Sequence, residues 1–181
     1  MTFREENINE TYALHSQLTI PNLPTPKELI RKIFRELSLP KNSKLYDLGC
    51  GDGRVLIIAA SEFQLRVIGY EINKSLFQNA KLEIQKLPHQ IQKRITLIRG
   101  DLFEADLSDA DCVYVYSTPN GYKSMKHILV NLKNHAKIVF VRYAPMDQFI
   151  KEINAVKIKD LEYQIDNFKF FIQIYEIKKT D

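Results

Sequence analysis

Residues 44–71 read KLYDLGCGDGRVLIIAASEFQLRVIGYE. A short apolar run, KLYDL, enters a turn that holds three of the chain's six glycines within five residues, Gly49, Gly51 and Gly53. A glycine-poor chain that concentrates half its supply in one place has a backbone demand there, because glycine takes positive φ and lets a ligand approach the main chain closely. Val55, Ile58 and Ala59 then read as a helix running to about Phe63, and RVIGYE (66–71) as the next strand. The stretch is a strand, a glycine-rich turn, a helix and a second strand.

Outward from it the same alternation continues. Upstream, Leu29, Ile30, Ile33, Phe34 and Leu37 form an apolar stripe at helical spacing, with Thr25 expected as its N-cap and Pro26 at the first helical position. Downstream, residues 74–87 read as an amphipathic helix stopped by Pro88. RITLIRGD (94–101) and DCVYVYS (111–117) are the third and fourth strands, a helix is expected from about Tyr122 to Asn134, and KIVFVRY (137–143) is the fifth strand. Nearly continuous apolar strands suit a sheet covered on both faces. The last thirty residues form two β-rich segments with a turn near Asn167. The expected fold is α/β: a Rossmann-like, doubly wound, mostly parallel seven-stranded sheet with an antiparallel C-terminal hairpin. The expected organisation is an N-terminal arm over 1–25, polar with isolated apolar positions, followed by one domain over 26–181.

Composition narrows the class further. The 181 residues suit one domain, and 45% hydrophobic with 27% charged residues excludes a disordered or fibrous chain. No apolar run approaches the ~18–20 residues of a membrane span, and MTFREENINE is no signal peptide. Two cysteines, Cys50 and Cys112, fit a reducing compartment. The expectation is a cytoplasmic protein, monomeric or weakly oligomeric, with no membrane insertion. The net charge of +4 has its basic excess in residues 44–100, without a Lys/Arg block, so a nucleic-acid partner is possible but disfavoured.

In an open α/β sheet, ligands bind outside the carboxyl ends of the strands. A dinucleotide turn calls for glycine three positions after Gly51, where this chain has Arg54. Asp47 stands on the strand side of the turn, a poor neighbour for a pyrophosphate and a good one for an ammonium. Glu71 ends the second strand, where an acid accepts hydrogen bonds from both ribose hydroxyls. Asp101 ends the third, within reach of an adenine amino group. An ammonium, a ribose and an adenine without phosphate describe S-adenosylmethionine.

These residues resemble motif I of the class I S-adenosylmethionine-dependent methyltransferases, and the likeness covers roughly residues 24–145. LPTPKELIRKIF, YDLGCGDGRVLIIAA, VIGYEIN and DLFEADLSDAD together resemble the small archaeal protein-lysine methyltransferases and the mitochondrial enzymes that methylate lysine in the c-subunit of ATP synthase. The resemblance implies a methyltransferase acting on accessible protein lysines. It implies a cofactor-binding set of Thr25, Asp47, Gly49, Cys50, Gly51, Glu71, Ile72, Asp101 and Leu102. Asp47 and the glycines would lie at the methionine end, Glu71 at the ribose, Asp101 with Leu102 at the adenine, and the Pro24–Pro26 entry over the cofactor.

For the acceptor, the loop from Tyr116 to Tyr122 after the fourth strand carries Ser-Thr-Pro-Asn instead of the Asn/Asp-Pro-Pro-Tyr of enzymes acting on planar amines. The candidate catalytic residues are Tyr116, Asn120 and Tyr143, and Tyr122 joins Tyr116 and Tyr143 as a candidate lining for a lysine channel. Glu104, Asp106, Asp109 and Asp111 read as a solvated acidic loop or an attractor for a basic substrate. His15, His89, His127 and His135 have no metal-ligand spacing, and no metal is expected. The alternatives are an RNA methyltransferase, a non-catalytic S-adenosylmethionine-binding module, and a nucleotide-dependent oxidoreductase.

Overall fold

The computed structural model describes residues 24–179, so of the expected arm only Pro24 and Thr25 are described. The first helix, α1 (Lys27–Leu37), buries Leu29, Ile30, Ile33, Phe34 and Leu37 along one stripe and ends at Ser38, which takes a left-handed conformation. Strand β1 (Lys44–Leu48) leads through the glycine turn into α2 (Arg54–Glu62), β2 (Arg66–Glu71) and α3 (Lys74–Gln85). The side chain of Asn73 caps α3 by accepting from Leu76 N. A single turn, α4 (His89–Gln92), precedes β3 (Ile95–Arg99). Then come a 3₁₀ turn at Leu102–Glu104, β4 (Cys112–Val115), α5 (Pro119–Ser124), α6 (Lys126–Leu129), β5 (Lys137–Val141) and α7 (Asp147–Glu152). The long strands β6 (Ala155–Ile165) and β7 (Phe168–Ile177) end the chain.

The seven strands form one sheet in the order β3-β2-β1-β4-β5-β7-β6. β1 to β5 are mutually parallel, β7 runs antiparallel to β5, and β6 antiparallel to β7. The strand order reverses between β1 and β4, the point where such sheets open a crevice for ligands. Two apolar layers sandwich the sheet. One joins α1 and α2 to Leu45, Val67, Tyr114, Val139, Phe170 and Ile172. The other joins α5, α6 and α7 to Leu48, Val113, Val115, Phe140 and Tyr175, with the Phe140 ring edge-on to Tyr122 at 4.7 Å and to Tyr175 at 5.6 Å.

Two expectations are corrected, and one helix is added. Thr25 does not cap α1; that position falls to Pro26, with no side-chain bond, and the buried Thr25 hydroxyl instead accepts a hydrogen bond from the Tyr114 phenol at 3.0 Å. The helix expected from Tyr122 to Asn134 starts earlier and is split. Thr118 caps it, accepting from Gly121 N at 3.1 Å, and Pro119 takes the first helical position. The helical turns break at Met125 into α5 and α6. Between β5 and β6 the chain also forms α7, whose six residues carry only two buried apolar side chains, too short a stripe to register as a period.

Candidate active site

β1 stops at Leu48 because the main chain turns away from the sheet: Gly49 N and Cys50 N both donate to the Tyr70 carbonyl of β2, at 3.0 and 2.9 Å. The turn is closed by Gly53 N on Cys50 O and requires φ of +89° at Gly49 and +76° at Gly53, values that side chains strain to adopt. Behind the turn, Glu71 is 7% exposed and acts as a staple. One carboxylate oxygen accepts from Gly51 N at 2.8 Å and the other from Asn73 N at 2.8 Å. Burial raises its pKa despite these bonds, which act in the opposite sense.

Asp47, the fourth residue of β1, is 3% exposed, and its Oδ2 has no hydrogen-bond partner. A buried carboxylate oxygen left bare is costly, and the cost appears in its acidity: burial first, then the charges of Glu71 and Asp52, push the pKa up to about 8. Asp47 is one of the residues that wall a cavity of about 90 Å³, together with Thr25, Gly49, Cys50, Gly51, Arg54, Tyr114 and Tyr116, among others. Arg54 holds the mouth together. Its guanidinium meets the Asp52 carboxylate through Nε and Nη2, at 2.9 and 2.6 Å, and Nη1 donates to the Thr25 carbonyl at 3.3 Å. That pairing holds the Asp52 carboxyl below its ordinary value, although burial alone would raise it.

Of the residues singled out in the sequence, Thr25, Asp47, Gly49, Cys50, Gly51 and Tyr116 thus come together around one cavity. Glu71 lies behind the turn with Ile72 half-buried beside it. Asp101 begins the 3₁₀ turn by accepting from Phe103 N at 2.9 Å, and Leu102 reaches the glycine turn, its Cδ2 lying 3.9 Å from where a side chain on Gly49 would begin. These four stand on the same rim but outside the cavity wall. Cys50 is a packing residue, its thiol buried and pushed well up in pKa by that burial.

The acceptor side differs from expectation. Tyr122 lines no channel: it is fully buried, and its hydroxyl donates to Val141 O at 3.2 Å and accepts from Ser117 N at 3.4 Å, pinning the chain after β4 to the end of β5. Asn120 and Tyr143 are exposed and do not wall the cavity. The acidic loop is largely consumed structurally. Asp109 binds Lys44 and the Tyr46 hydroxyl, and Asp111 binds Lys44 N at 2.7 Å and Lys133 at 2.5 Å. Among the described residues no group of three or more His, Cys, Asp or Glu could hold a metal ion, and no helix is long and apolar enough to cross a membrane.

Sequence reasoning missed the Asp52–Arg54–Thr25 clamp, Tyr114 and Arg142, whose Nη1 donates to the Tyr116 hydroxyl at 3.2 Å. Arg54 sits directly after the glycines and carried a readable signal. The other two are defined by strand adjacency, which spacing does not reveal.

The donor set suits the amino-acid end of S-adenosylmethionine on this chain's own evidence: a bare buried carboxylate oxygen needs a cationic donor, and the glycines leave the main chain clear beside it. With the 3-2-1-4-5-7-6 strand order, that defines a class I S-adenosylmethionine-dependent methyltransferase. The chain belongs to the family described as the ANTKMT methyltransferase domain, which it matches over residues 47–149. It is 32% identical over 108 residues to a protein-lysine N-methyltransferase of Saccharolobus islandicus, a match covering 59% of this chain and 66%, just under two thirds, of that protein. A Caenorhabditis elegans lysine N-methyltransferase named for the c-subunit of ATP synthase is 24% identical, with 70% of this chain and 68% of that one covered. In fold it is similar to an RNA methyltransferase from Salinibacter ruber solved with S-adenosyl-L-homocysteine, with a TM-score of 0.73, 24% identity, and 88% and 97% of the two chains covered.

Proposed function

We propose that the protein transfers a methyl group from S-adenosylmethionine to the side-chain amine of lysine in a protein substrate. On the donor side the reading is carried by one observation, that Asp47, with a buried and unpartnered carboxylate oxygen, lines the cavity beside the glycine turn. The lysine acceptor is supported by the names of the relatives, two of which are lysine methyltransferases.

In this reading Asp47 receives the ammonium of the amino-acid moiety, which returns its carboxyl to the ionised form. Thr25 and the glycine turn enclose that end. Glu71 receives the ribose hydroxyls through the lone pairs that Gly51 N and Asn73 N leave open, and Asp101 with Leu102 borders the adenine. When bound, S-adenosylmethionine supplies an electrophilic methyl on a sulfonium. The chain's task is then positioning, since in-line displacement needs the two reacting atoms held together rather than a triad or metal. A lysine must also arrive neutral. Its ordinary pKa of ~10.4 leaves on the order of one part in a thousand neutral near pH 7.4, a handicap of about 4 kcal/mol. Tyr116 on the cavity wall, with Tyr143 outside it, offers aromatic surface that strips water from the amine and favours its neutral form.

The test is to incubate the protein with methyl-labelled S-adenosylmethionine and separate protein and RNA pools. Label on lysine, located by mass spectrometry of the protein pool, is expected. Label in RNA alone would overturn the lysine acceptor, and ligand binding with no label in either pool would leave a binding module.

A further inference from the structure

We propose that Arg142 determines acceptor specificity by receiving a carboxylate that flanks the methylated lysine, so that the preferred substrate is an acidic, partly apolar segment. The inference rests on the lysine reading above and concerns what surrounds that lysine.

Arg142 is the residue at which β5 leaves the sheet. It adopts φ of +75°, a left-handed conformation in a residue that has a side chain. Such strain persists only where neighbours enforce it, and it gathers at functional sites. Here the enforcement is visible: Arg142 N donates to Phe171 O of β7 at 2.7 Å, the guanidinium donates to the Tyr116 hydroxyl, and it lies 5.7 Å from the centre of the Tyr143 ring. The unusual backbone thus aims a cation at the side chain that walls the cavity.

Among the described residues that cation meets no anion. Arg54 at the cavity mouth and Lys169 on β7 meet Asp52 and Glu162. Arg142 meets the phenols of Tyr116 and Tyr143, and no carboxylate among its described partners. A guanidinium has five N–H donors in a planar fork suited to a carboxylate, and the bond to Tyr116 engages a single nitrogen. The fork is also held in place from two sides, so little freedom is lost when a carboxylate arrives. Beside it stands the exposed ring of Tyr143, and Phe171, which shares the main-chain bond, is exposed as well. The Arg142 guanidinium thus joins the Tyr143 ring to the hydroxyl of Tyr116, a residue of the cavity wall, and Phe171 is tied to Arg142 through the main chain. The occupant that matches is an extended segment placing its lysine beyond Tyr116, an acidic residue on Arg142 and apolar residues on the rim. A basic flank would meet repulsion instead.

The test uses one short synthetic peptide with a single lysine, made in three forms with Glu, Gln or Lys on both sides of it, and follows methylation by mass spectrometry. The wild-type KM is expected to be about tenfold lower for the Glu form than for the Lys form, with the gap shrinking in high salt. Arg142→Gln should abolish the preference and Arg142→Glu should reverse it. S-adenosylhomocysteine affinity, by calorimetry, is expected within about twofold of wild type in both variants, as a charge-assisted contact to acceptor alone predicts. Equal KM values in the wild type, or a preference that survives Arg142→Gln, would overturn the proposal. If the wild type binds S-adenosylhomocysteine yet methylates none of the peptides while labelling RNA, the lysine reading fails, and this inference fails with it.

Discussion

Along the rim between β2 and β1 the molecule presents main chain and buried acid: a turn with no side chains at its glycines, Glu71 clamped by two backbone N–H groups, and Asp47 with a bare oxygen. Along the rim between β4 and β5 it presents side chains, the half-buried Tyr116 and Arg142 and the exposed Tyr143 and Met146, in loops tied by the buried hydroxyl of Tyr122. The first region is preorganised for one ligand, with polar groups in a desolvated setting whose partners are nearly all fixed. The second has aromatic area and a cation that, among the described residues, meets phenols and no carboxylate, a surface that constrains an acceptor loosely. The donor half therefore defines a chemistry and the acceptor half a preference, and substitutions in the two should separate in what they change.

The largest effect is expected from Glu71→Ala. It removes the acceptor of Gly51 N and Asn73 N, charge-assisted bonds worth about 1.5–3 kcal/mol each before the cost of burying the acid is subtracted. A net stability loss of about 2–4 kcal/mol in urea unfolding is expected, together with a fall of tenfold or more in S-adenosylhomocysteine affinity by calorimetry. Unchanged affinity in the folded variant would sever the donor rim from the ligand.

Asp47→Asn should cost about tenfold to a hundredfold in the same affinity, the equivalent of one charge-assisted contact. It should also do what Glu71→Ala does not, and stabilise the ligand-free protein at alkaline pH. The sign follows from the direction of the shift. The folded pKa of Asp47 is raised from 3.8 to about 8, so its favourable contribution is complete below pH 4 and is lost as pH climbs through 8. A neutral amide has no such loss, so the melting temperatures of variant and wild type should diverge in favour of the variant as pH rises from about 4 to 8 and differ by a constant amount above that.

A third expectation follows from the same group. An ammonium arriving at Asp47 lowers its pKa and expels the proton, so wild-type binding of S-adenosylhomocysteine near pH 7 should release a proton and tighten as pH rises from 6 to 8. Calorimetry in buffers of different ionisation enthalpy measures the release directly. A proton count of zero would place the ammonium elsewhere.

The two regions also differ in how far the sequence disclosed them. The parallel strands and the hairpin were legible because each is a continuous or alternating apolar run, a signal carried by the residues themselves. Asp47, Gly49, Gly51 and Glu71 were legible as a set because a strand, a turn and a strand bring them together within 25 positions, at spacings the backbone fixes. Thr25 was placed in the cofactor set by resemblance, but its cap role was misread, since its contact with Tyr114 joins positions 89 apart. Arg142 was missed and Tyr122 misassigned because their roles depend on which way a side chain leaves a strand end and what meets it there. Residue spacing fixes a face; it does not fix a rotamer or a loop that crosses from β4 to β5.

The smallest effect tests the acceptor half alone. Tyr143→Ala removes a side chain that is 38% exposed, so a stability change within about 0.5 kcal/mol is expected, as for a surface substitution away from caps and core. S-adenosylhomocysteine affinity should not move, because Tyr143 contributes nothing to the cavity wall. What should change is the acceptor's apparent KM, by a few fold, since the ring steadies the Arg142 guanidinium and supplies apolar area at the rim. A loss confined to kcat would instead place the ring at the reacting amine. A loss of cofactor affinity equal to that of Asp47→Asn would mean that the two rims are one site, and that the division drawn between them is only geometric.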